Sequence, residues 1–105
     1  MAARRDPQPD PLWKLDLHGS TAARALERVQ QEIVLRQRHG HSPILIITGK
    51  GLHSAGGSSP VHAQVKRFLH SPEGRALGVK NVQPAAGGGA FRVDLFPPGA
   101  QPGIS

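Results

Sequence analysis

The chain has 105 residues, enough for one domain with a modest core but not for two. Thirteen Lys and Arg against seven Asp and Glu give a formal charge of +6 and an isoelectric point near 11.2. That balance favours polyanions such as nucleic acid as partners, with a merely soluble basic protein as the bland alternative. The absence of cysteine excludes disulfides, thiolate zinc sites and cysteine nucleophiles.

Residues 1–11 read as a flexible, proline-rich lead-in with no apolar stretch behind it, so neither a signal peptide nor a membrane span is expected. A cytoplasmic protein with no membrane partner is the default expectation. Residues 12–96 form the folded unit, and residues 97–105, rich in Pro and Gly, are expected to be a disordered tail.

Within that unit, residues 12–18 alternate loosely and are predicted as the first strand. Ser20 or Thr21 is the expected N-cap of a helix whose apolar face is Ala22, Ala25, Leu26, Val29 and Ile33. Arg24, Arg28, Glu32 and Arg36 fall on its outer side, and Gly40 ends it. Residues 43–48, an unbroken β-rich run, predict a strand that is central or buried on both faces. A Gly- and Ser-rich loop follows to Ser59, which caps a second helix with Pro60 at its first position. Val61, Val65, Phe68 and Leu69 make the stripe of this helix, and Pro72 is expected to stop it. Residues 79–83 and 91–96 are the last two strands, joined through a glycine-rich loop. The predicted order is β-α-β-α-β-β, with the β-α-β part parallel and right-handed and the final pair antiparallel.

Chemistry is expected where strands end. In a strand, Asp16 and His18 project from one face, while Leu15 and Leu17 project from the other into the core. At Gly19 the backbone must turn sharply or approach something closely. Taken alone, Asp16 reads equally as a cap or as the partner of a nearby base, and His18 as an edge histidine. The Gly49-Lys50-Gly51 triplet frees the backbone on both sides of a cation, which suits close approach of a phosphate. A glycine-rich turn with a solvated lysine is its plain alternative. It is not a Walker A loop, because the position five before Gly49 is Ile44. His53 and Ser54 face either the same cleft or water.

The other histidines, His39, His41, His62 and His70, lack metal-ligand spacing and are read as surface residues; no metal site is expected. Arg24, Arg28 and Arg36, with Lys66 and Arg67, either extend a basic surface or form solvated faces. Phe68 and Phe91 are assigned to the core and Trp13 to packing. With Phe96 these are the only aromatic residues, which argues against an open stacking platform for single strands.

Three motifs in order, Leu-Asp-Leu-His-Gly at 15–19, Thr-Gly-Lys-Gly-Leu-His-Ser at 48–54 and Gly-Gly-Gly-Ala-Phe-Arg-Val-Asp-Leu at 87–95, resemble the Smr (small MutS-related) domain over residues 12–96. The resemblance implies a stand-alone two-layer α/β sandwich with a four-stranded mixed sheet, similar to the C-terminal domain of translation initiation factor 3. It also implies nucleic-acid binding and, as in several family members, endonuclease activity on RNA or on branched or nicked DNA. Catalysis would rest on Asp16, His18 and Lys50. Phosphate contacts would come from Gly19, Gly49, Lys50, Gly51, His53, Ser54 and the loop Gly87, Gly88 and Gly89. Lys50 stands where family members carry Arg, keeping the charge but losing the bidentate fork. No cofactor is expected, although a divalent ion enters if DNA is the substrate. The alternative is a non-catalytic nucleic-acid-binding module acting with a partner; a protein-docking adaptor fits the fold but not the charge.

Overall fold

The computed structural model describes residues 13–49 and 60–100. In chain order these form β1 (Trp13–Asp16), α1 (Ala22–His39), β2 (Ile44–Ile47), α2 (Pro60–Leu69), α3 (Pro72–Leu77), β3 (Val79–Ala85) and β4 (Ala90–Leu95), with a 3₁₀ turn at Ala86–Gly88. The four strands make one mixed sheet in the order β1-β2-β4-β3. β1 pairs parallel with β2, and β4 lies antiparallel to both β2 and β3. β3 therefore runs in the same direction as β1 and β2.

Two crossovers join these parallel strands, and both step the same way across the sheet. A common right-handed sense puts α1 and α2 on one face, where they pack against each other. Leu17, Ile44, Ile46, Phe91 and Val93 meet Ala25, Val29, Ile33, Val65 and Phe68 in the single core. Each large aliphatic side chain fully buried there contributes about 1.5–3 kcal/mol relative to exposure. Strand alternation sends Lys14, Asp16, Leu45, Ile47, Arg92 and Asp94 to the other face. β2 is thus central, as its apolar run predicts, but only alternate residues are fully buried: Ile44 and Ile46 are, whereas Leu45 and Ile47 are half-buried.

The boundaries of α1 follow capping chemistry. Thr21, not Ser20, is the N-cap and accepts a hydrogen bond from the Arg24 N–H at 3.2 Å. Gly40 closes the helix with φ of 72° and donates to the Arg36 and Gln37 carbonyls. Pro72 does more than end a helix. Ser71 accepts from the Gly74 N–H at 3.0 Å as an N-cap, Pro72 takes a first-turn position, and α3 begins. β3 continues beyond its expected end at Gln83, through Pro84, because β3 is an edge strand and a missing N–H on its outer side disturbs no ladder. Residues 97–100, expected to belong to a disordered tail, form a turn closed by the Ala100 N–H on the Pro97 carbonyl at 3.0 Å. The Gln37 side-chain amide holds the same carbonyl at 2.9 Å.

Candidate functional site

Because β1, β2 and β3 are parallel, their carboxyl ends share one edge of the sheet, and β4 starts there. Thr21 leads into α1 at this edge, and the first turn of α2 lies there too, with His62 against Thr48 at the end of β2. Ligands of open α/β sheets bind at such edges, and helix N-termini there favour anions.

β1 ends at Asp16, two residues earlier than the strand expected from the sequence, so His18 lies in a turn rather than on a strand face. The Asp16 Oδ1 accepts from the His18 backbone N–H at 2.9 Å. The Ser20 N–H closes the turn on the Leu17 carbonyl at 2.9 Å, and the Leu17 N–H donates to Ile47 at 2.8 Å. Gly19, third in this turn, has φ of 83°, the value a type II turn asks for at that place. The carboxylate therefore grips the backbone of the His18 turn. The His18 imidazole is exposed and makes no hydrogen bond among the described residues.

Next to this turn, the two glycine loops are joined. The Thr48 and Gly49 N–H groups both donate to the Gly89 carbonyl, each at 2.9 Å. The Gly49 N–H, expected to face a phosphate, is thereby committed to tying the β2 end to the β4 start. Where a Cβ would stand at Gly19, Gly49 or Gly88, nothing among the described residues lies within 4 Å, so none of them covers the backbone there. Lys50, Gly51, His53 and Ser54 lie outside the described residues. Gly87 and Gly88 are exposed, while Gly89 is buried.

His62 was not legible as part of this edge, being read with the surface histidines. Pro60 opens α2, so His62 sits in its first turn. Its Nδ1 lies 2.8 Å from the Thr48 hydroxyl, which itself reaches the Gly89 carbonyl at 3.3 Å. Its ring stacks on Phe91 with centroids 4.7 Å apart. Partial burial and the neighbouring Lys66 charge lower the pKa of His62 from its ordinary value of 6.5, so it is neutral at pH 7. The one signal available in sequence was its position just after the helix-starting Pro60.

The remaining candidates separate by position. Arg28 belongs to the edge, donating to the Ser20 hydroxyl at 3.1 Å. Arg24 is exposed and paired with Glu27. Arg36 lies at the far end of α1, bonded to Glu32 at 2.7 Å and placed 4.4 Å over the Trp13 ring. Trp13 stacks on His41 at 4.0 Å but stays 40% exposed, so it anchors packing at the opposite edge only in part. Among the described residues no group of three or more His, Cys, Asp or Glu is placed to hold a metal ion. No helix there is long and apolar enough to cross a membrane.

One sheet and one helix layer, with glycine turns and a histidine turn at the carboxyl edge, define a small α/β module. The Smr domain family model matches residues 15–95, and the chain belongs to that family. It is similar to the crystal structure of the Smr domain of Thermus thermophilus MutS2, with a TM-score of 0.66 and 26% sequence identity, over 82% of this chain and 100% of that one.

Proposed function

We propose that this domain binds nucleic acid along the carboxyl edge of its sheet and cuts a phosphodiester there, with RNA or structured DNA as substrate. The observation that carries the reading is the gathering of the Asp16–His18 turn, Gly49 and the Gly89 carbonyl it bonds at one edge, where no described residue covers the backbone at Gly19, Gly49 or Gly88. The exposed His18 imidazole carries ring nitrogens able to take up or give a proton, which suits general acid–base work. On RNA, His18 would take the proton of a 2′-hydroxyl as its oxygen attacks phosphorus. The bond from phosphorus to the 5′-oxygen then breaks, that oxygen takes a proton from water, and protonated His18 returns its proton to the hydroxide left behind. The products are a 2′,3′-cyclic phosphate and a 5′-hydroxyl. Asp16 acts through the backbone, holding the turn that presents the imidazole. Lys50 would supply charge to the phosphate. DNA lacks the internal nucleophile, so an activated water, with a divalent ion, would replace it.

A non-catalytic grip on phosphates is the second reading, favoured by the Asp16 carboxylate bonding the His18 backbone and not its ring. One experiment separates them. End-labelled structured RNA and supercoiled plasmid are incubated with the protein and with His18→Ala, in EDTA or magnesium. Cutting that leaves 5′-hydroxyls and disappears in the variant, with affinity kept, supports the enzyme. Equal binding without cutting supports the module.

A further inference from the structure

Beside the glycine loops, α2 and the β3–β4 hairpin enclose a cavity of about 220 Å³ lined chiefly by His62, Lys66, His70, Pro84, Gly88 and Phe91. Flat rings make up much of its wall: His62 stacks on Phe91, and Pro84 is the cross-strand neighbour of Phe91. His62 and Lys66 are four apart on α2 and share one face of it, and His70, one residue past its end, continues that row with its N–H on the Lys66 carbonyl at 3.2 Å. The His70 Nδ1–H donates to the Lys66 carbonyl at 2.9 Å, which leaves Nε2 of the neutral ring as an acceptor. The same side chains border a wider groove of about 480 Å³ along α2, where Arg67 adds a second cation.

We infer that this cavity receives one unpaired nucleobase of the strand whose phosphate lies at the glycine loops. The inference rests on the nucleic-acid reading above and narrows its substrate to a single-stranded or locally opened site. Size is the first argument, since the cavity is smaller than the roughly 300–1,000 Å³ of sites that enclose drug-sized ligands, and suits one flat ring system. Position is the second. Gly88 is part of the cavity wall, and the adjoining Gly89 is bonded to Thr48 and Gly49, so base and phosphate would share one loop. Charge is the third, because Lys66 and Arg67 stand at the groove through which the strand would leave. A base paired within a duplex cannot enter without being unstacked. The scarcity of aromatics does not oppose this, since a walled pocket needs few rings where an open platform needs several.

The test compares two uncuttable strands by fluorescence anisotropy: a 2′-O-methyl RNA octanucleotide and a base-free sugar-phosphate strand of equal length and charge. Wild-type protein is expected to bind the base-bearing strand about 5- to 150-fold more tightly, the range that one stacked base supplies. Pairing the octanucleotide with its complement should remove that advantage. Val82→Trp, which fills the cavity from its β3 side, and Pro84→Ala, which removes an exposed wall, should each shrink it. Trp13→Ala, at the opposite edge, should leave it intact. Equal binding of the two strands by the wild type overturns the inference while leaving phosphate binding standing. So does a base advantage lost in Trp13→Ala but kept in Pro84→Ala. Failure to bind either strand overturns the nucleic-acid reading and the cavity with it.

Discussion

Partial burial and a neighbouring cation set His62 apart from a free side chain, and its titration is therefore a handle on the site. Burial and Lys66 make its folded form harder to protonate than the unfolded one. Between the ordinary value of 6.5 and the lower folded value, the unfolded chain binds more protons, so stability rises with pH across that window. The contribution is complete above about pH 6.5 and is lost as the pH falls through the folded pKa. Urea midpoints at pH 7.5 and 5.5 should show the decrease, and His62→Gln, with an amide still able to meet the Thr48 hydroxyl, should remove part of it. A second residue-scale expectation concerns Gly74. An added Cβ would stand 2.5 Å from the Phe68 carbonyl oxygen and 3.3 Å from that of Leu69. Alanine improves helix propensity by about 1 kcal/mol, yet the α2–α3 corner would have to open. Gly74→Ala is expected to destabilise the fold by about 1–3 kcal/mol, read from chemical denaturation.

At the scale of elements, α1 shows how unequal its parts are. Thr21→Ala removes one exposed capping bond and is expected to cost about 1 kcal/mol. Ile33→Ala, at a side chain with no exposed surface, is expected to cost about 2–5 kcal/mol. Equal losses in the two unfolding curves would show that α1 is held by local structure and not by its packing. This helix was legible because stripe, cap and terminating glycine all agreed. α3 was not, since Ser71 and Pro72 serve both as the stop of one helix and the start of the next. The carboxyl edge was legible in the same uneven way. The Asp16–His18 turn and the glycine loops announce themselves as short motifs with small residues where strands end. His62 does not, because its place at the edge depends on β4 bringing Phe91 beneath α2, a contact between residues far apart in sequence.

For the whole molecule, the decisive question is whether a charge of +6 acts as a diffuse field or at one edge. Arg24, Arg36 and Arg92 each face a carboxylate, which reduces their reach. Arg28 at the start of α1 and Lys66 and Arg67 on α2 have no carboxylate partner among the described residues, and they lie at or beside the carboxyl edge. Lys80 is exposed near the start of β3, which lies at the opposite edge because β3 runs parallel to β1 and β2. If nucleic acid lies along the carboxyl edge, each phosphate neutralised there contributes about 0.7 to the slope of log affinity against log salt for a single strand. Lys66→Ala should then flatten that slope by about 0.7, while Lys80→Ala should leave it unchanged. A diffuse field predicts the opposite pattern, in which both substitutions weaken binding alike through net charge. Measuring both variants across a salt series thus asks whether the topology that gathers three strand ends and two helix starts also gathers the charge that matters.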